Sequence, residues 1–127
     1  MSGIIVDIDG TLLLGNNGIQ PTIDYVNKKA NQYDIFVVTG RPESARANTT
    51  EALKSNGVKF KRLYMKSKSS DDSIAHKKEV GESLQSKQTI ILAIDNDTKA
   101  RDAYRSLGIK VLAPSIIRLF TALKYRQ

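Results

Sequence analysis

Gly3-Ile4-Ile5-Val6-Asp7-Ile8-Asp9-Gly10-Thr11-Leu12 is the stretch on which the reading of the chain turns. A β-branched apolar run broken by Asp7 predicts a short buried parallel strand whose carboxyl end carries function, and Asp9-Gly10-Thr11 turns the chain at once. The same kind of run returns at Asp34-Ile35-Phe36-Val37-Val38, Leu63-Tyr64-Met65, Thr89-Ile90-Ile91-Leu92-Ala93-Ile94 and Lys110-Val111-Leu112. Between the runs, apolar spacing and stop signals predict helices over about 21–31, 43–55 (ended by Asn56-Gly57), 73–86, one through Leu107 (ended by Gly108) and one after Pro114. Strands alternating with helices of this length predict an α/β fold, a central parallel sheet joined by right-handed crossovers with helices on both faces.

Two segments depart from that alternation. Leu12-Leu13-Leu14, Gly15-Asn16-Asn17-Gly18 and Ile19 predict a small hairpin flap after the first strand, with Pro21 opening the helix that buries Ile23, Val26 and Ala30. Lys66-Ser67-Lys68-Ser69-Ser70-Asp71-Asp72 lacks apolar periodicity and predicts a polar loop.

Composition narrows the chemistry. The 127 residues are about one domain's worth of chain, so a single domain over 1–127 is expected. There is no cysteine and one histidine, His76, which leaves carboxylates, hydroxyls and cations to carry any reaction. No apolar run reaches the ~18 residues that span a bilayer, and Met1-Ser2-Gly3 carries no basic leader, so the expected location is the cytoplasm and no membrane partner is expected. Twenty Lys and Arg against thirteen Asp and Glu give +7, which favours anionic partners, phosphorylated ligands and nucleic acid among them.

In an open parallel sheet, ligands bind beyond the carboxyl ends of the strands, where this chain places Asp7, Asp9, Thr39, Asp95, Asn96 and Asp97. Carboxylates converging without His or Cys are hard oxygen donors, which predicts Mg²⁺. A phosphoryl group on that ion needs a hydroxyl, backbone N–H groups and a lysine to hold its spread charge, roles for Thr39 and a lysine of the 73–86 helix. Ile74, Lys77, Gly81 and Leu84 share one helical face by spacing, which favours Lys77 over Lys78.

Asp7-Ile8-Asp9-Gly10-Thr11-Leu12 resembles the first signature of the haloacid dehalogenase-like phosphatases, Thr39 after its apolar strand the second, Lys77 (or Lys78) the third, and Ile94-Asp95-Asn96-Asp97 the fourth. The resemblance implies a Rossmann-like domain in which Asp7 is the nucleophile that forms an aspartyl-phosphate. Asp9 would protonate the leaving oxygen and then deprotonate water, and Thr39 and Lys77 would hold the phosphate. It implies Mg²⁺ on Asp7, the Asp9 carbonyl and Asp95, with Asn96 standing where the commonest pattern has a second acid and Asp97 as the alternative fourth-signature ligand; Gly10 and Thr11 would line the phosphate. Only 27 residues lie between Thr11 and Thr39, so no cap domain fits there or before Lys77.

Thr39-Gly40-Arg41, Arg46, Leu63-Tyr64-Met65-Lys66, Asp71-Asp72, Lys77 and Ala93-Ile94-Asp95 are similar to the phosphatase domain of polynucleotide kinase/phosphatases, with Lys66 where an arginine is usual. That resemblance implies removal of 3′-phosphates from nucleic-acid ends, with Gly40, Arg41, Arg46 and Lys66 toward the substrate; no GxxxxGK[ST] kinase loop occurs.

Other readings have less behind them. A calcium loop counted from Asp7 and Asp9 puts Asn16 where an acid is required. A phosphorylated receiver domain needs an acid ending the third strand, and none is there. Thr39 alone could be a turn-capping hydroxyl, His76 a surface residue, and the fold a non-catalytic signalling or nucleic-acid-binding module. Within the enzyme reading, the alternative substrates are small phosphorylated metabolites or nucleotides.

Overall fold

The computed structural model describes residues 1–68 and 71–125; Ser69 and Ser70, the middle of the expected polar loop, lie outside the described residues. Five parallel strands form the central sheet: β1 (Gly3–Val6), β4 (Asp34–Pro42), β5 (Arg62–Lys66), β6 (Ile90–Ile94) and β7 (Val111–Leu112), in the order β5-β4-β1-β6-β7. A separate two-stranded ribbon, β2 (Leu13–Leu14) with β3 (Asn17–Gly18), is the expected hairpin. The helices are α1 (Gln20–Lys29), α2 (Arg46–Ser55), α3 (Ser73–Gln85), α4 (Thr98–Ser106) and α5 (Pro114–Tyr125). No cap domain interrupts the described residues.

Alternation along the inner strands sorts the core into two layers. Ile4, Val6, Ile35 and Val37 pack with Ile23 and Val26 of α1, Leu53 of α2 and Ile117 of α5. Ile5, Phe36, Val38 and Ala93 point to the opposite face, against Leu84 of α3 and Tyr104 of α4. β1, fully buried between two parallel partners, is apolar at every position, whereas the hydrophobic face of each helix is a stripe.

The chain winds outward from β1 through β4 to β5, then returns to the other side of β1 for β6 and β7. The strand order therefore reverses beside β1, which opens a crevice at the carboxyl ends of β1, β4 and β6. Two boundaries differ from expectation. β4 continues past Val38 to Pro42, because Pro42 pairs with Lys66 across a register shift. The helix expected from 43 is a 3-10 turn, Glu43–Ala45, before α2 begins at Arg46.

Candidate active site

Register assembles the site. Val6 is level with Ile94 of β6 and with Val37 of β4, so the next residue of each strand brings Asp7 and Asp95 side by side, with Thr39 close by on the other flank. The Asp7 backbone N–H donates to Ile94 (2.9 Å) and the Asp95 N–H to Leu112 (3.2 Å), which pins both acids to the sheet.

Two buried carboxylates side by side repel unless a cation sits between them. Lys77 does so: its Nζ donates to Asp7 Oδ1 at 3.0 Å and Asp95 Oδ2 at 2.7 Å, with all three side chains buried. Lys77 is delivered by α3, where Asp72 caps the first turn by accepting from the Ile74 and Ala75 N–H groups, and where Lys77, Gly81 and Leu84 form the buried face. Lys78 is exposed, so the geometry selects Lys77. Burial lowers the affinity of the lysine for its proton, but Asp7 and Asp95 outweigh it and Lys77 lies above its ordinary range. For Asp7 burial dominates: desolvation, with Asp95 adding to it, lifts the carboxyl to about 7 against the pull of Lys77.

The other oxygen of Asp7 faces a second bracket. Thr11, fully buried, donates to Asp7 Oδ2 (3.1 Å) and accepts from the Asn96 backbone N–H (3.2 Å). With both ends of its amide satisfied, Asn96 donates from its side-chain nitrogen to Asp7 Oδ2 (3.0 Å) and to the Asp9 carbonyl (2.9 Å). Gly10 makes room for that amide. Its φ is +79°, and a Cβ there would stand 2.4 Å from the oxygen end of that amide.

Asp9 lies two residues along, with its side chain 59% exposed over the cleft. Arg41 grips it in a two-pronged pair, Nε to Oδ2 at 3.1 Å and Nη2 to Oδ1 at 2.8 Å, and also donates to Thr49 (3.1 Å) and the Gly15 carbonyl (3.3 Å). The hydrogen bonds to Asp9 hold the Arg41 guanidinium above its ordinary range. The cleft above these groups measures about 500 Å³ and is lined by Asp7, Asp9, Gly40, Arg41, Ser73, Ile74, Lys77, Asn96, Asp97 and Lys99.

Other expected residues take different places. Thr39 is fully buried and its hydroxyl accepts from the Arg41 N–H (3.1 Å), the capping geometry of a turn, just behind the cleft. Thr11 braces Asp7 from within rather than lining the cleft. The Asp97 carboxylate caps α4 by accepting from the Ala100 N–H (2.9 Å), and the Asp97 N–H donates to Asp95 Oδ1 (2.9 Å). Lys66 is buried and donates to Ser73 (3.3 Å). Arg46 pairs with Glu43, donates to the Leu63 carbonyl (3.1 Å) and lines a different groove. His76 is half-buried outside the cleft, its affinity for a proton reduced by burial.

Two participants escaped the sequence reading. The Arg41–Asp9 clamp joins residues 32 apart in sequence, with no local signal beyond the arginine itself. Tyr104 is wholly buried; burial, then Asp95 and Asp7, raise its hydroxyl well above the ordinary range, so it stays neutral behind the acids. It packs against Gly81, one turn beyond Lys77, a contact between α4 and α3 that no local pattern supplies.

No curated protein sequence matches the chain at a significant level. Its fold is shared by a chain of the Pnkp1/Rnl/Hen1 RNA repair complex, at TM-score 0.81 and 22% identity over 88% of this chain and 42% of that one. A second solved Pnkp1/Rnl/Hen1 complex matches at TM-score 0.82 and 22% identity, over 88% and 45%. The chain thus spans less than half the length of the solved chains it matches. Residues 4–65, from β1 through Thr39 to β5, match the family model of the haloacid dehalogenase-like hydrolases, which is what this part of the chain is similar to.

Proposed function

We propose that the chain is a Mg²⁺-dependent phosphomonoester hydrolase that works through an aspartyl-phosphate on Asp7 and acts on the 3′-phosphate ends of polynucleotides. The observation that carries the proposal is Asp7 itself: a buried carboxylate at the floor of an open cleft, held on one oxygen by Lys77 and on the other by Thr11, with a second acid two residues on facing the same space.

The donor set fits the ion. Asp7 Oδ2 and the Asp9 carbonyl converge on one point, marked by the Asn96 nitrogen 3.0 and 2.9 Å from them, and Asp95 adjoins. Mg²⁺ takes one or two carboxylates and keeps several of its waters. Asp7, the Asp9 carbonyl and Asp95 would hold it, with Asn96 beside them. Bound there, Mg²⁺ would supply positive charge that keeps Asp7 ionised and offsets charge on the phosphoryl oxygens.

The chain's own groups supply the rest. Asp7 attacks phosphorus and forms a P–O bond as the ester oxygen departs with a proton from Asp9. Asp9, now a base, takes a proton from water, whose oxygen attacks phosphorus and releases inorganic phosphate and free Asp7. Lys77 offsets the phosphoryl charge, Thr39 has a hydroxyl proton left to donate, and Gly40 lets the backbone approach the substrate. Arg41 holds Asp9 at the cleft mouth.

Support for polynucleotide ends comes from the uncapped cleft, which admits a bulky substrate, from the charge of +7, and from the fold shared with a chain of an RNA repair complex. Phosphate release measured on 3′-phosphorylated and 5′-phosphorylated oligonucleotides, mononucleotides, sugar phosphates and an aryl phosphate tests both parts. Preference for the 3′-phosphorylated oligonucleotide is expected. Equal or greater turnover of small metabolites removes the substrate assignment, and full activity of Asp7→Asn or in excess chelator removes the mechanism.

A further inference from the structure

Five of the chain's twenty Lys and Arg residues line one groove away from the cleft. Between α2 and the edge strand β5 runs a groove of about 640 Å³ whose lining includes Arg46, Lys54, Lys59, Lys61 and Arg62 but no carboxylate. Arg46 is balanced by Glu43, and Lys61 by Asp34 at 3.3 Å. Lys54, Lys59 and Arg62 are exposed and have no carboxylate partner among the described residues, so the groove keeps three uncompensated cations of the chain's net +7.

The groove points toward the catalytic end. Arg46 opens α2 four residues after the last residue of β4, at the carboxyl end of the sheet where the cleft lies. Lys54 sits eight residues on, about 12 Å along the helix axis. Phe60, half-buried, lies between Lys59 and Lys61 and supplies a ring beside the cations. A row of cations with an aromatic surface is the chemistry that holds a single nucleic-acid strand without reading its sequence.

We infer that this groove binds the sugar-phosphate backbone of a single strand leading away from the end held in the cleft, with Lys54, Lys59 and Arg62 contacting phosphates and Phe60 stacking on a base. The inference rests on the proposed polynucleotide substrate. An acidic polypeptide would meet the cations but make no such use of the ring.

The test is fluorescence anisotropy of a labelled single strand of about ten nucleotides, with the wild-type chain and with Lys54→Ala, Lys59→Ala and Arg62→Ala combined. All three residues are exposed and lie outside the cleft, so aryl-phosphate turnover and thermal unfolding report that the variant is otherwise intact. Each phosphate contact contributes about 0.7 to the slope of log affinity against log salt, so losing three lowers the slope by about 2 and removes roughly fifteenfold of the affinity change between about 50 and 200 mM salt. Phe60→Leu should weaken binding at every salt concentration without altering the slope.

Unchanged affinity and slope in the triple variant overturn the groove, as does equally tight binding of poly-glutamate. Binding does not require hydrolysis, so the two readings separate. An oligonucleotide bound through these cations but releasing no 3′-phosphate removes the substrate assignment and leaves the groove standing.

Discussion

Replacing Asp7 by Asn should stabilise the metal-free protein at alkaline pH while abolishing activity. The carboxyl lies at about 7 in the folded chain against an ordinary 3.8, chiefly through burial. A raised folded value means that the native state holds a proton the unfolded chain has released. Asp7 therefore contributes its full stability below about pH 4 and loses it as pH rises toward about 7. Three pKa units at about 1.4 kcal/mol each give roughly 4 kcal/mol over the whole window, and some two units of it, roughly 3 kcal/mol, fall between about pH 5 and pH 8. Asn keeps the shape and does not titrate.

Asp34, held below its ordinary range by its hydrogen bond from Gln88, and His76, lowered by burial, titrate alike in both proteins and cancel in the difference. Thermal unfolding in chelator should then show Asp7→Asn gaining on wild type by roughly 10 °C between about pH 5 and pH 8, at about 4 °C per kcal/mol for a chain of this size. Parallel curves across that range would refute the reasoning, because the Asp7 carboxylate would then be no more costly folded than unfolded.

Asp9→Asn should cost 10²- to 10⁴-fold in turnover, the usual contribution of a positioned acid-base group, with the smallest loss on esters that need no leaving-group proton; uniform loss on every leaving group argues against that role. Lys77→Met leaves two buried acids uncompensated and should destabilise by about 3–5 kcal/mol at pH above 7, whereas exposed Lys78→Ala should stay within about 0.5 kcal/mol by denaturant titration. Gly10→Ala meets both a positive φ and the Asn96 amide, so it should lose about 1–3 kcal/mol and need more Mg²⁺ for half-maximal activity. Mg²⁺ at about a hundred times its dissociation constant should stabilise the wild type by about 2.7 kcal/mol in calorimetry and Asp7→Asn by much less; equal shifts would remove Asp7 from the metal site.

The fold was legible because its strands are short β-branched runs that end in turn or capping residues, and because Gly57 and Gly108 stand where α2 and α4 stop. Asp7, Asp95 and Lys77 were legible for a related reason: each is a charged residue on an otherwise buried face, an expense a chain rarely tolerates without use. What stayed hidden depends on contacts between distant segments. Arg41 and Arg46 look alike in sequence, yet one reaches back to Asp9 and the other closes on Glu43 three residues away. Asp97 stands among the fourth-signature acids in sequence, yet its place just before Thr98-Lys99-Ala100 suits the helix cap that it forms. The extension of β4 to Pro42 needed knowledge of its partner Lys66, which no local pattern supplies.

The four-way hold of Arg41 has a mechanical meaning. One side chain rooted in β4 fastens the acid after β1, the tip of the flap at Gly15 and Thr49 of α2. The entrance is thereby tied to the sheet, and the flap is fastened at Gly15 by this guanidinium and at Asn16 by the Asn56 amide. A shorter cation at position 41 would act as a loosened hinge pin, changing how freely the doorway swings before it changes any group on the floor beneath.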